Sequence, residues 1–287
     1  MRHVTHDCRG LRLTAAVRFG PLPGTMAKHS SLAAGLAVAA FAAFASPTAA
    51  LVGDAPAASD ANGARHAVLI VGSRGNSCTG TAIARDLVLT AAHCVPAGAD
   101  YKLVEFDAAR RPTLKDVARV TRHPQFSMQS FEAKRTTADV ALLKLKEPLP
   151  PRLAPASLSR SDARTVKPGD RFLVAGFGVT RPGDGKSGGA LRIAELEATG
   201  KPGSLQIRLV DPATRNGRSG LGACTGDSGA PAFAANGGRL EVVGVVSWST
   251  GPGNSAGCGG LTGVTPLTRY RAWIVETARK LGSHIGE

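Results

Sequence analysis

No apolar run in this 287-residue chain is long enough to cross a bilayer comfortably. The longest, Leu32 to Ala45, falls short of the roughly 20 residues that a spanning helix needs. That weighs against a permanent membrane anchor. Charge clusters are also missing. The formal net charge is +14, yet beyond residue 50 there is no run of five or more Lys and Arg. The basic excess therefore reads as a solvated surface rather than a nucleic-acid-binding tail. Histidine is scarce, with only His66, His93, His123 and His284 outside the first 50 residues. No metal-ligand spacing and no cofactor motif is evident. No helical segments alternate with the strand-like ones, which argues against a parallel α/β sheet.

What is present begins with a leader. "MAKHSSLAAGLAVAAFAAFASPTAA", residues 26–50, has a basic start, an apolar centre and a small-residue exit, the three-part layout of a secretory signal peptide. Thr48 and Ala50 suit the −3 and −1 positions of a cleavage site. Residues 1–25 precede this unit and read as an over-extended start, with Met26 the true one, or else as an extended leader. The expectation is a protein secreted or held in a periplasm, without a membrane anchor once the signal is removed. Removing residues 1–50 takes away five Lys/Arg and one Asp, leaving 30 basic and 20 acidic residues and a charge of +10. It also removes Cys8, leaving Cys78, Cys94, Cys224 and Cys258. An even set in an exported protein predicts two disulfides, with three pairings formally open.

The whole chain is 43% apolar and rich in Gly (35) and Pro (18), which favours many short strands and turns. Strands are expected at 66–72, 80–93, 139–146, 171–179, 205–210, 231–235 and 240–248. "NGG" at 236–238 reads as a hairpin turn, and 181–189 and 249–260 as flexible loops. One helix is expected over 265–282, with Tyr270, Trp273, Ile274, Ala278 and Leu281 on one face and Gly282 as its stop. The pattern predicts an all-β sandwich or barrel.

Chemistry is carried by "ACTGDSGAPAF", 223–233. A surface turn would explain its glycines, but not the cysteine before Ser228 or the apolar run after it. Serine is a poor nucleophile unless a base takes its proton and a third group fixes that base. His93 ends an apolar strand, "LVLTAAHC", and is followed by a cysteine that could tether it. Asp139 opens "DVALLKLK". Each is weak alone: a histidine at a strand end is usually structural, and an aspartate before an apolar run usually starts a strand.

Together, "LTAAHC", "ADVALLKL" and "CTGDSGAP", in that order and separated by 46 and 89 residues, resemble the three catalytic blocks of the chymotrypsin-like serine peptidases. "AGFGVT", "VSWS" and the C-terminal helix also resemble that family, and the likeness runs over residues 51–282. The resemblance implies two six-stranded antiparallel β-barrels of the chymotrypsin type with a C-terminal helix, and a secreted endopeptidase acting on proteins or peptides as a monomer, without a cofactor. It implies Ser228 as nucleophile, His93 as general base, Asp139 as its orienting partner, and the N–H groups of Gly226 and Ser228 as an oxyanion hole. It implies disulfides Cys78–Cys94 and Cys224–Cys258.

The resemblance also places Gly222, Ala223, Ser247, Trp248, Ser249 and Gly263 around the substrate pocket. With no Asp at Gly222 and Val246 before Ser247, the pocket reads as uncharged, suited to an apolar P1 residue. Small P1 residues are the alternative, because Ser249 could narrow the mouth. Ala230 stands where many relatives carry Gly, and the loop 249–258 is longer than in pancreatic relatives. Glu105, Asp107 and Asp116 lie where some relatives bind calcium, but their spacing matches no cation loop and they read as solvated. Finally, "LVGD" resembles the family's activated N-terminus, whose α-ammonium pairs with the aspartate before the nucleophile. Here that pair would be Leu51 and Asp227, with signal cleavage itself creating the activating end. Maturation nearer Arg65 is the alternative. Two other classes remain at this point: a non-catalytic binding protein on the same fold, and a basic nucleic-acid- or envelope-binding module.

Overall fold

The computed structural model describes residues 51–58, 63–107, 109, 111–162, 165–200 and 205–286. The expected leader, 1–50, lies outside them. Thirteen strands and two α-helices make up the described residues, with short 3-10 turns between them.

The first six strands are β1 (Ala67–Gly72), β2 (Ser77–Ala84), β3 (Leu87–Thr90), β4 (Tyr101–Phe106), β5 (Pro112–Arg122) and β6 (Ala141–Leu145). They close into a barrel in the order β1-β2-β3-β6-β5-β4, every neighbour antiparallel. A short helix, α1 (Met128–Glu132), sits between β5 and β6; the Ser127 hydroxyl caps it by accepting from the Ser130 N–H at 3.1 Å. The second set is β7 (Ser157–Leu158), β8 (Arg171–Gly176), β9 (Arg192–Ala198), β10 (Ile207–Val210), β11 (Pro231–Asn236), β12 (Arg239–Ser249) and β13 (Thr262–Pro266). Six of these close a second antiparallel barrel, β11-β8-β9-β10-β13-β12, through the β11–β12 pairing. β7 is an addition, lying parallel to β12. The chain closes with α2, Arg271–Lys280.

Period-2 geometry explains why "LVL" and "VALLKL" are apolar without alternation. Leu87 and Leu89 of β3 and Leu142 of β6 join a core shared with Phe233 and Val245 of the second barrel and with Tyr270, Ile274 and Ala278 of the closing helix. Their neighbours Val88 and Leu143 turn the other way, into the first barrel, with Ile70 and Leu103. These strands are buried on both faces because one faces the partner barrel. The second barrel has its own filling of Phe172, Val174, Leu196, Ile207 and Val264.

Several expectations change in detail. The helix starts at Arg271, not at residue 265, because Thr265 and Pro266 belong to β13, paired to Gly244 and Val245. Strands β4, β5, β7, β9 and β13 were not anticipated. β5 is exposed or half-buried along its length, so it carries no buried-strand pattern. The turn at 236–238 is a two-residue hairpin in which Gly237 and Gly238 take φ of 54° and 78°, as a primed turn requires. The loop 181–189 is tied down: the Ser187 hydroxyl accepts from the N–H groups of Thr180 and Arg181 and donates to the Asp184 carbonyl.

Candidate active site

Strand ends bring the chemistry to one cleft. β3 delivers His93 on a 3-10 turn, Ala92–Cys94, and the Cys78–Cys94 disulfide pins the residue beside it. Asp139 sits just ahead of β6, and Ser228 just ahead of β11. A hollow of about 360 Å³ is bordered by His93, Ser228, Gly226, Phe131, Ala223 and the segment Val246–Ser249.

Asp139 is buried and accepts three hydrogen bonds. Its Oδ2 lies 2.7 Å from His93 Nδ1 and also accepts from the Ser247 hydroxyl. Its Oδ1 accepts from the backbone N–H of His93 at 2.9 Å. The carboxylate thus grips both the ring and the backbone of one histidine. This fixes Nδ1 as the protonated nitrogen and leaves Nε2 as the free base. Phe131, from α1, stacks on the imidazole with centroids 4.2 Å apart and rings 13° from parallel. No pattern along the chain signals Phe131, nor the use of the Ser247 hydroxyl on Asp139.

The turn "CTGDSGA" is held by its backbone. The Asp227 N–H donates to the Cys224 carbonyl and the Ala230 N–H to the Asp227 carbonyl. Gly226 takes φ of 96°, where a side chain would be strained and would meet Gly178 Cα at 2.9 Å. The N–H groups of Gly226 and Ser228 donate to no other described residue, and both residues border the hollow. Thr79 of β2, fully buried, joins this turn to the first barrel. Its hydroxyl donates to the Gly226 carbonyl at 2.9 Å and accepts from the Phe177 N–H at 3.0 Å, while its N–H donates to the Ser228 carbonyl. Replacing Thr79 with Val keeps the volume but strands both backbone groups. A loss of such buried bonds costs about 1–3 kcal/mol. The expected result is a kcat about tenfold lower with KM little changed, checked by steady-state kinetics on a peptide amide. Equal kcat in the two proteins would show that Thr79 does not position the turn.

Asp227 is sealed inside. Its carboxylate accepts from the N–H groups of Gly178 (2.8 Å) and Cys224 (2.9 Å), and burial pushes its pKa up to about 7. The Gly-Phe-Gly block is explained here. A Cβ on Gly176 would lie 2.0 Å from Asp227 Oδ1, and one on Gly178 2.5 Å from its carboxyl carbon. Leu51 is fully buried, and the Val52 N–H donates to the Gly222 carbonyl at 3.1 Å, so this segment threads into the second barrel beside this loop.

The expected pocket residues separate. Ala223, Ser247, Trp248 and Ser249 border the hollow; Gly222 and Gly263 do not. Gly222 is bridged to Val52. Gly263 lies under the Trp248 indole, where a Cβ would be 2.0 Å from a ring carbon. Its missing side chain makes room for the tryptophan rather than for a ligand. Cys224 is bonded to Cys258, as the resemblance implies.

The three carboxylates weighed for calcium do not converge. Asp107 pairs with Arg111, Asp116 with Lys102 and Lys146, and Glu105 lies 3.7 Å from Arg152. Among the described residues the one cluster with several metal-binding side chains is Cys78, His93 and Cys94, whose sulfurs are spent in a disulfide.

Paired antiparallel barrels with a His–Asp pair on one side of the cleft and a serine turn on the other define a class of hydrolase, and the comparisons with known proteins agree. The Trypsin family model matches residues 54–274. The chain is 30% identical over 219 residues to a vitellin-degrading protease of Bombyx mori, covering 72% of this chain and 78% of that protein. It is 30% identical over 215 residues to Trypsin-4 of Rattus norvegicus, covering 70% and 80%. The chain belongs to the Trypsin family, and it is a serine endopeptidase.

Proposed function

We propose that this endopeptidase is exported by its signal segment and cleaves peptide bonds with Ser228, His93 and Asp139, after an uncharged P1 residue. The observation that carries the reading is the double grip of Asp139 on His93, which leaves Nε2 free of the carboxylate on a histidine that borders the same cleft as Ser228. Ser228 Oγ attacks the scissile carbonyl as His93 Nε2 takes its proton. The oxyanion is held by the N–H groups of Gly226 and Ser228, which have no other acceptor among the described residues. His93 then protonates the leaving amine, and water repeats the sequence on the acyl-enzyme. Asp139, itself held by the Ser247 hydroxyl, stabilises the imidazolium that forms. The substrate strand pairs with the backbone of Ser247–Ser249.

The hollow beside Ser228 is walled by Ala223, Val246 and Ser247, with no carboxylate to receive Lys or Arg. That favours an apolar P1 residue. The indole over Gly263 favours the small end of that range. A cleavage profile of the 51–287 form on a peptide library tests both statements. Cleavage after Leu, Met, Phe, Ala or Val is expected, and a dominant preference for Arg or Lys would overturn the pocket reading.

A further inference from the structure

A second and larger hollow adjoins the first. It measures about 520 Å³ and shares Phe131 and the segment Ser247–Ser249 with the cleft at His93. The aromatic rings of Phe131 and Trp248 line its near side. Lys134 and Arg135, which follow α1, and Arg208 of β10 line the rest, against a single acid, Glu132. All three cations are exposed, and none makes an ion pair with a described residue. Elsewhere on the surface Lys102, Arg111, Lys144, Arg171 and Arg181 each face a carboxylate. Arg135 and Arg208 come from different barrels, so the charge concentrates because the cleft walls meet there. The backbone at Lys134 is itself turned to φ of 56°, a left-handed value uncommon for a lysine.

We propose that this hollow is a subsite for an acidic substrate side chain lying two to four residues before the scissile bond. This rests on the catalytic reading above and adds a charge preference to it. A substrate strand paired to Ser247–Ser249 advances about 3.3 Å per residue, so residues P2 to P4 pass over the shared rim and into the hollow. Cations clustered on one low-dielectric wall focus their field there. A carboxylate entering it gains partners without breaking an existing ion pair. An upstream Lys or Arg meets three like charges. The enzyme thus selects substrates bearing an Asp or Glu upstream of a neutral P1 residue.

The test uses the 51–287 enzyme and peptide libraries randomised at P1 and carrying Glu, Ala or Lys at P2, P3 or P4 in turn. At low ionic strength, Glu at the best of these positions is expected to raise kcat/KM about tenfold over Ala, from several partly screened pairs. Lys is expected to lower it. The advantage should shrink as salt approaches about 1 M, where the Debye length falls to about 3 Å. Arg135→Glu combined with Arg208→Glu should reverse the order, favouring Lys over Glu; this reversal cannot arise from partial unfolding. Cleavage of all three series at equal rates would overturn the subsite while leaving the catalytic reading intact. An absence of cleavage of any member, with the serine also refusing an organophosphonate label, would remove the catalytic reading and this subsite with it.

Discussion

Ser228→Ala or His93→Ala is expected to lower kcat by about 10⁶, the scale seen when a member of a serine–histidine pair is removed. Neither substitution should unfold the protein. The Ser228 hydroxyl donates to no described residue, and its backbone contact with Thr79 does not use the side chain. Without the imidazole, Asp139 keeps the backbone N–H of residue 93 and the Ser247 hydroxyl as partners. Kinetics and thermal melts on the same preparations check both halves. Wild-type turnover in Ser228→Ala would falsify the assignment of the nucleophile.

The second large effect concerns the chain start. The proposed mature enzyme begins at Leu51, with a free amine beside a loop whose Asp227 is buried and, among the described residues, accepts from only two backbone N–H groups. In a chain that continues upstream, burial raises that carboxyl from 3.8 to about 7. A group with a raised folded pKa contributes stability that is full below its unfolded value and is lost as pH climbs through the folded one. The extended form should therefore lose stability between about pH 4 and pH 7, by on the order of 4 kcal/mol. A free Leu51 ammonium offsets this loss until the amine itself deprotonates, above about pH 8. At pH 7.5 the form starting at Leu51 should exceed one retaining extra residues by about 10³ in kcat, and the gap should close towards pH 4. Melting temperatures of the two forms across this range, with N-terminal sequencing of the exported enzyme, decide it. Equal activity with residues left ahead of Leu51 would rule the pairing out.

How far the sequence reached depends on what kind of signal each residue leaves. Residues whose chemistry and neighbours are both distinctive were legible: His93 at a strand end before a cysteine, Asp139 before an apolar run, Ser228 in a glycine-rich turn. The buried strands were legible because they are continuously apolar. β5 was not, because a strand on the outside of a barrel has no buried face to mark it. Phe131 was invisible for another reason. It belongs to a five-residue helix too short to show a period, and its partner, His93, lies 38 residues away in the chain. Thr79 and the hydroxyl of Ser247 act across barrels, and a spacing along the chain carries no trace of such contacts. At Gly263 a missing side chain does not mean open space, because the Trp248 indole fills it, and nothing along the chain marks that contact.

The core between the barrels has a further consequence, for the order in which the molecule comes alive. His93 and Asp139 belong to one barrel and Ser228 to the other, and Leu87, Leu89, Leu142, Phe233 and Val245 seal the seam between them. Each barrel's hydrogen-bond ladder closes on its own strands, but the proposed nucleophile meets its proposed base only when the seam is dry. During refolding, strand content should return before hydrolytic competence does. A half-made molecule is then unable to digest its own neighbours, and the seam acts as a safety interlock on a chain whose finished form destroys proteins.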